Sequence, residues 1–189
     1  MSGLRVGLAL CGSFCTLTRA VEAAQSLAEN YELTAIMSER AAGTDTRFGK
    51  AEDFRARLEE ITGRSVIATV AEAEPIGPKK ALDVLVVAPC TGGTLAKLAC
   101  GVTDTSVTMA VKAHLRNERP VVIAVSTNDG LSASAVNIGE LLARRNIYFV
   151  PFGQDDPIKK PRSLVADFSR IGDAVEAAAE GRQLQPILL

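Results

Sequence analysis

Residues 83–104 read DVLVVAPCTGGTLAKLACGVTD and contain the clearest structural signal in the chain. The four apolar residues 84–87 predict a strand buried on both faces, as in a parallel sheet. Pro89 is expected to end this strand. A small, hydroxyl-bearing turn follows at 90–94, and an apolar-periodic run then predicts a helix that ends at Gly101. Because a helix beginning at a strand's carboxyl end presents free N–H groups, the segment predicts a site for an anionic or planar ligand.

Composition limits the classes of protein that the chain can belong to. With 189 residues, 47% of them apolar and 23% charged, the chain can bury a proper core, and we expect one domain over 1–189. A net charge of −1, no basic block and 4% aromatic residues argue against nucleic acid as a partner. No apolar run approaches the roughly 20 residues that span a bilayer. The first ten residues have a strand pattern rather than that of a signal peptide, so no membrane partner and a cytoplasmic location are expected.

The four cysteines, Cys11, Cys15, Cys90 and Cys100, lack CxxC pairing, and the chain has a single histidine. This excludes a zinc site of ordinary spacing, and no metal is predicted. We expect reduced thiols that act as small apolar side chains.

The beginning of the chain predicts a strand, a tight turn and a helix. Residues 4–10 are mostly apolar, Gly12 and Ser13 form the turn, and apolar residues recur at helical spacing over 17–28. The turn lacks both the GxGxxG pattern and the lysine of a P-loop, which disfavours NAD and ATP. It can bind a monophosphate through backbone N–H groups and the Ser13 hydroxyl. A capped helix without any ligand is the alternative.

A second predicted strand, 33–37, ends at Ser38, on the same side of a parallel sheet as Gly12 and Thr91. An amphipathic helix closed by Gly63 follows, then a short strand over 65–70 and a turn-rich connector over 73–80. Arg47, in the loop after Ser38, either pairs with an anionic ligand or is a solvated loop residue.

The second half continues the alternation of helices and strands. A helix over 105–116 carries His114, which we interpret as a packing or solvated residue rather than a catalyst. A buried strand over 120–125 ends in the polar cluster 126–130. Its Asn128 offers a donor and an acceptor, which suits the edge of a heterocycle with carbonyl and imide groups, although an Asn-Asp-Gly turn without a ligand looks the same.

The last third predicts a helix near 136–141, a strand over 147–150, a loop over 151–162, and a helix from the N-cap Asp167 to Gly181. The whole order predicts an α/β fold with a single doubly wound, mainly parallel sheet of about six strands and helices on both faces. Four of its strand ends carry small polar turns.

Several of these features together resemble one family. They are Gly12 and Ser13 after the first strand, the segment 88–99 with Gly101 and Asp104 after it, and Asn128. The combination is similar to the FMN-binding flavoproteins that include the cysteine decarboxylases of coenzyme A and lantibiotic biosynthesis. The resemblance covers nearly the whole chain and implies a Rossmann-like flavoprotein domain that binds FMN.

Further segments resemble one branch of this family, at 44–49, 74–79, 125–129, 146–157 and 180–186. Members of that branch are B subunits of a two-subunit enzyme of spore-forming bacteria. The resemblance implies that the chain works with an NAD(P)-binding A subunit to oxidise a dihydrodipicolinate precursor, a small dicarboxylate, to pyridine-2,6-dicarboxylate, the calcium-chelating acid of the spore core. It also implies a homo-oligomer with the flavin near an interface between copies.

The resemblance assigns roles to residues of the polar turns. The FMN phosphate is expected at Gly12, Ser13 and Ser38. The ribityl chain and ring are expected near Thr91, Gly92 and Thr94. Asn128 is expected to meet the polar edge of the ring. Lys97 is left out as a surface residue. The complete set of expected cofactor-binding residues is Gly12, Ser13, Ser38, Cys90, Thr91, Gly92, Thr94 and Asn128.

The chain also departs from the wider family. The family's decarboxylases place a catalytic histidine in the early half of the chain, whereas the sole histidine here is His114, and their Pro-Ala-Met-Asn segment keeps only Asn128. Cysteine decarboxylation is therefore disfavoured, and no catalytic residue is assigned. Flavin redox chemistry needs no protein nucleophile.

Two alternatives to an oxidoreductase component stay open. One is a non-catalytic partner that stabilises or regulates the A subunit, and the other is an FMN-dependent enzyme like the cysteine decarboxylases. The segment from Asp155 to Arg162 has three cations that either attract carboxylates, dock the A subunit, or belong to a charged surface loop.

Overall fold

The computed structural model describes residues 3–189, and its centre is one sheet of seven strands. The strands, in chain order, are β1 Arg5–Leu10, β2 Glu32–Met37, β3 Val84–Cys90, β4 Val121–Thr127, β5 Ile147–Phe149, β6 Phe152–Asp156 and β7 Lys160–Ala166.

Among residues 3–189, eight α-helices surround the sheet, with 3₁₀ turns at Phe14–Thr16, Glu74–Ile76 and Phe168–Arg170. The helices are α1 Leu17–Ala28, α2 Glu39–Gly43, α3 Ala51–Thr62, α4 Val70–Ala73, α5 Gly92–Cys100, α6 Ser106–Leu115, α7 Ala135–Leu142 and α8 Ile171–Ala179.

The parallel part of the sheet has the order β2-β1-β3-β4-β5. From β1 the chain first adds β2 on one side and then crosses to add β3 on the other side, so the strand order reverses between β1 and β3. Doubly wound folds bind ligands at such a point. Val6 of β1 pairs with Leu33 on one side and Val84 on the other. The antiparallel hairpin β6–β7 extends the sheet at the carboxyl end of β4, where Ser126 pairs with Val165. The predicted fold class is confirmed, with seven strands instead of about six.

Burial explains why these residues form the central strands. All seven residues of β3 are buried, and so are the first six of β4, because helices cover both faces of a parallel sheet. The predicted helix ends at Gly63 and Gly101 are confirmed: both glycines adopt the left-handed conformation, with φ of 64° and 72°.

Two expectations about strands were wrong. Pro89 does not end β3, which continues to Cys90 with a register shift after Val87 that accommodates the missing N–H. The segment 65–70 is not a strand. Only Ile67 bridges to β2, and Thr69 caps α4 in a capping box with Glu72, because side-chain capping competes with strand pairing.

The segment 151–162, predicted as a loop, contains β6, the turn of the β6–β7 hairpin and the first residues of β7. Its turn is closed by Asp156, whose carboxylate accepts hydrogen bonds from the N–H groups of Ile158 (3.1 Å) and Lys159 (2.9 Å). Most side chains near the turn are exposed, so the segment lacks the alternation that predicts a half-buried strand. No helix among residues 3–189 is long and apolar enough to cross a membrane.

Candidate functional site

The carboxyl ends of β1, β2 and β3 meet at one edge of the sheet. The N–H of Ser38 donates to the carbonyl of Leu10 (2.9 Å), and the N–H of Cys11 donates to the carbonyl of Pro89 (3.2 Å). These bonds hold together the three turns that follow β1, β2 and β3, which we call the corners of the sheet. A cleft of about 850 Å³ opens between them, within the size range of pockets that bind small molecules and cofactors.

Three helix N-caps line this cleft. The hydroxyl of Ser38 accepts from the N–H of Ala41 (3.2 Å), that of Thr91 from the N–H of Thr94 (3.2 Å), and that of Thr105 from the N–H of Thr108 (3.1 Å). Each capping oxygen acts as an acceptor, which leaves its hydrogen for a second bond. The Thr105 hydroxyl bonds that of Thr108 (2.9 Å) and the Thr91 hydroxyl bonds that of Thr94 (3.0 Å), while that of Ser38 has no acceptor among the described residues. The cleft therefore presents hydroxyl and backbone donors that suit an anionic or carbonyl-bearing ligand.

Four charged side chains also line the cleft: Glu39, Arg40, Lys97 and Asp104. The Lys97 ammonium bonds both carboxylate oxygens of Asp104 (2.8 and 2.9 Å), and this pairing lowers the pKa of Asp104. The Glu39 carboxylate accepts from the N–H of Ser106 (3.0 Å) at the start of α6. Both carboxylates are thus compensated, which limits their repulsion of an anionic ligand.

Cys11 forms part of the cleft wall and is only 2% exposed. Burial raises the pKa of its thiol to about 11, against the opposing effect of a hydrogen bond with Thr94. Cys90 lies fully buried, and burial raises the pKa of its thiol as well. Both thiols are protonated at neutral pH, so neither is a nucleophile in this state.

The structure brings together four of the eight expected cofactor-binding residues, since Gly12, Ser38, Thr91 and Thr94 all line the cleft. Ser13 follows Gly12 directly, but its hydroxyl bonds that of Ser126 (2.9 Å) and accepts from Thr16 (3.0 Å). The Ser13 side chain is therefore engaged with the end of β4.

The other three expected residues lie on the same edge of the sheet and do not line the cleft. The thiol of Cys90 is in the core. A Cβ built at Gly92 would lie 2.6 Å from the hydroxyl oxygen of Ser134 and 2.8 Å from a carboxylate oxygen of Asp129, so this glycine permits a close approach of α5 to the β4 turn. Asn128 is exposed on that turn.

Sequence reasoning missed several residues of the cleft. Glu39, Arg40 and Thr44 follow the end of β2, and Lys97 and Asp104 belong to α5 and the segment after it. The signal for the first group is its position: Glu39 and Arg40 come directly after a buried strand that ends at the edge where doubly wound folds bind ligands. Lys97 lies on the same helical face as Thr94, a relation visible in the spacing of three residues.

The single histidine is far from this chemistry. His114 is 1% exposed, and its Nε2 lies 3.0 Å from the carbonyl oxygen of Pro120. Burial lowers the pKa of the imidazole to about 4, so it is neutral at pH 7. Among residues 3–189, no group of three histidine, cysteine, aspartate or glutamate side chains is arranged to hold a metal ion.

The fold and the cleft define a class of protein. The chain belongs to the flavoprotein family, whose family model matches residues 1–176. Within this class, the chain is 42% identical over 190 aligned positions to the B subunit of dipicolinate synthase from Bacillus subtilis (strain 168), covering 100% of this chain and 95% of that protein.

Solved structures agree with this assignment. The crystal structure of the dipicolinate synthase B subunit from Bacillus halodurans C superposes with a TM-score of 0.91 at 41% identity, covering 100% of this chain and 97% of that one. The FMN-dependent cysteine decarboxylase SpaF superposes with a TM-score of 0.70 at 24% identity, covering 94% and 98% of the two chains. The second likeness shows the shared fold alone.

Proposed function

We propose that this chain is the FMN-binding B subunit of a dipicolinate synthase, an oxidoreductase that forms dipicolinate during sporulation. The observation that carries the proposal is the similarity over the full chain to two B subunits, at 42% and 41% identity. The cleft supports the cofactor. Its size of about 850 Å³, its capping hydroxyls and its cations suit a phosphate, a polyol chain and a polar ring.

The proposed reaction removes one hydride equivalent and one proton from the ring of dihydrodipicolinate and leaves the aromatic pyridine-2,6-dicarboxylate. The oxidant is the nicotinamide nucleotide of the dipicolinate synthase A subunit, which takes up the hydride equivalent, while the proton passes to solvent. A flavin held in the cleft would supply two-electron redox chemistry.

In this proposal, the residues of this chain position the flavin and set the polarity of the cleft around it. Gly12 and Ser38 would hold the phosphate end of the flavin, and Thr91 and Thr94, which line the same cleft, would lie beside the ribityl chain and ring. Asn128 lies outside the cleft on the exposed β4 turn, and its contact with the polar edge of the ring is proposed from the family resemblance alone. The charged groups Lys97 and Asp104 neutralise each other, so on the α5 side of the cleft the polarity comes mainly from hydroxyl and backbone dipoles.

The B subunit works in an assembly with the A subunit, together with further copies of itself. Exposed apolar side chains on and before α7, namely Val136 (72% exposed), Leu131 (51%) and Leu142 (44%), suit a contact between copies. The exposed cations Lys159 and Arg162 at the β6–β7 hairpin suit docking of the A subunit or attraction of the dicarboxylate substrate. Four free cysteines fit a cytoplasmic setting.

An absorbance spectrum of the purified protein, followed by reconstitution with the A subunit, tests the proposal. We expect a yellow protein that releases FMN on denaturation, and dipicolinate formation that requires both subunits and the flavin. A colourless protein that does not take up added FMN contradicts the cofactor assignment. Release of carbon dioxide from a cysteinyl peptide instead indicates a decarboxylase.

One observation favours a second candidate, a non-catalytic partner that stabilises or regulates the A subunit. The acidic groups of the cleft, Glu39 and Asp104, are both engaged in hydrogen bonds, and the single histidine, His114, is buried elsewhere. The cleft therefore offers no free general base. A flavin-free B subunit that still raises the turnover of its partner supports this candidate against the first.

A further inference from the structure

Arg40 occupies the corner of the cleft at which β1 and β2 end. It is the second residue of α2 and lies two positions after the N-cap Ser38. Its side-chain stem crosses the β1 turn, since a Cβ built at Gly12 would lie 3.6 Å from Cδ and 3.7 Å from Cγ of Arg40. The guanidinium group is thus attached next to the two corners that present the Gly12 backbone and the Ser38 hydroxyl.

The charge of Arg40 is the least compensated in the cleft. Lys97 is paired with both carboxylate oxygens of Asp104, and Glu39 accepts the N–H of Ser106. No carboxylate among residues 3–189 lies within 4.0 Å of the Arg40 guanidinium, although the residue is exposed beside Glu39. A dianionic group entering this corner would therefore meet one free cation and two uncharged donors.

Guanidinium suits phosphate better than other cations do, because its planar fork donates two parallel N–H bonds to two oxygens. The hydroxyl of Ser38 keeps its hydrogen for a further bond, since its oxygen already accepts from Ala41. Ser13 contributes less, because its hydroxyl is engaged by Ser126 and Thr16. A neutral alcohol in this corner would gain little from the charge.

We propose that Arg40 binds the phosphate of FMN and makes the cleft select FMN over riboflavin, which ends in an alcohol at the same position. This inference rests on the proposed flavin function and adds the residue that recognises the phosphate. The phosphate end of the ligand then lies at the β1–β2 corner, and the ring lies toward α5.

The test compares FMN and riboflavin binding, by fluorescence titration of flavin-depleted protein, for wild type and two variants. Arg40→Gln removes the proposed charge. Arg47→Gln is the matched control, since it changes the net charge equally, in the following loop, where the guanidinium lies 4.8 Å from the Phe48 ring centroid and outside the cleft. For Arg40→Gln we expect roughly a tenfold rise in the Kd for FMN at low salt and an unchanged Kd for riboflavin. Arg40→Lys should restore part of the FMN affinity.

Each contrary result has a distinct meaning. Equal FMN affinity in the two glutamine variants overturns the role of Arg40 while the flavin function stands. Equal losses of FMN and riboflavin affinity in Arg40→Gln also overturn it, because the residue then acts on the ring or on the fold. A wild-type protein that binds neither flavin removes both this inference and the proposed function.

Discussion

The edge of the sheet at which the carboxyl ends of the strands meet has two halves, which carry similar polar residues but differ in whether a cleft opens between them. On the half formed by β1, β2 and β3, the serine and threonine corners surround an open cleft. On the half formed by the end of β4, the polar side chains bond each other: Ser126 with Ser13, and Thr127 (2.5 Å) and Ser134 (2.8 Å) with the carboxylate of Asp129. In the open half the Ser38 hydroxyl has no side-chain partner among residues 3–189, whereas each of these hydroxyls in the closed half bonds another side chain.

The hairpin explains the difference. Strand β7 pairs with Ser126 and Thr127, and the Ser163 hydroxyl donates to the carbonyl of Thr127 (3.2 Å). A Cβ built at Gly130 would lie 2.7 Å from the Leu164 side chain, so the β4 turn is packed tightly against the hairpin. No comparable element covers the corners of β1, β2 and β3 in the part of the chain that the structure describes.

The largest effect should come from disturbing the closed half. Gly92→Val places a side chain within 2.6–2.8 Å of Ser134, Thr127 and Asp129 and breaks their hydrogen bonds. We expect the free energy of unfolding to fall by about 3 kcal/mol, measured by urea denaturation. Gly93→Val is the control, because a Cβ built there meets no atom within 4 Å. Equal losses in the two variants would show that helix propensity, and not the polar cluster, limits this position.

His114 lies at the opposite edge of the sheet, near the start of β4, so its effect on stability is independent of both halves. His114 is neutral when folded, with a pKa of about 4, and has an ordinary pKa of about 6.5 when unfolded. The unfolded chain therefore binds more protons between these values, and stability falls as the pH drops from 6.5 to 4. We expect a loss of about 3 kcal/mol across this window that is specific to the imidazole. His114→Gln should flatten this part of the pH profile of urea denaturation, and an unchanged slope would contradict the assignment.

A direct comparison of the halves uses two serines. Ser38→Ala removes a hydroxyl from the open cleft, whereas Ser13→Ala removes one that bonds Ser126. We expect the Kd for FMN to rise about fivefold for the first, as one hydrogen bond to a charged group is lost, and less than twofold for the second. Ser38→Thr, which keeps the hydroxyl, is the control. The reverse ranking would mean that the phosphate lies on the β4 side.

The smallest effect is expected at the tip of the hairpin that closes the β4 half. Lys160 pairs with Asp155 at 2.5 Å, and the two side chains are 59% and 37% exposed. Lys160→Ala should leave the thermal midpoint unchanged, because solvent screens such a pair. A clear drop in the midpoint would show that the tip, and not the buried base at Leu164, holds the hairpin in place.

Sequence patterns predicted most of the fold, since long apolar runs and glycine helix ends depend on local chemistry. The strands over 84–87 and 120–125 and the left-handed ends at Gly63 and Gly101 were found in this way. The hairpin over 152–166 was missed because its exposed half has no apolar alternation. It is held instead by contacts with β4, which are distant in sequence.

By itself, the sequence determined that polar corners follow four buried strands on one edge of a doubly wound sheet, because strand burial and helix capping are local properties. Only the tertiary structure decided which corners stay open. Ser13 and Gly92 belong to the polar turns at this edge, but Ser126 lies against the first and Asp129 against the second. The side chain of Arg40, which is far from Gly12 in the chain, lies over Gly12. Hydrogen-bond partners between such segments are chosen by packing, and the local sequence does not encode them.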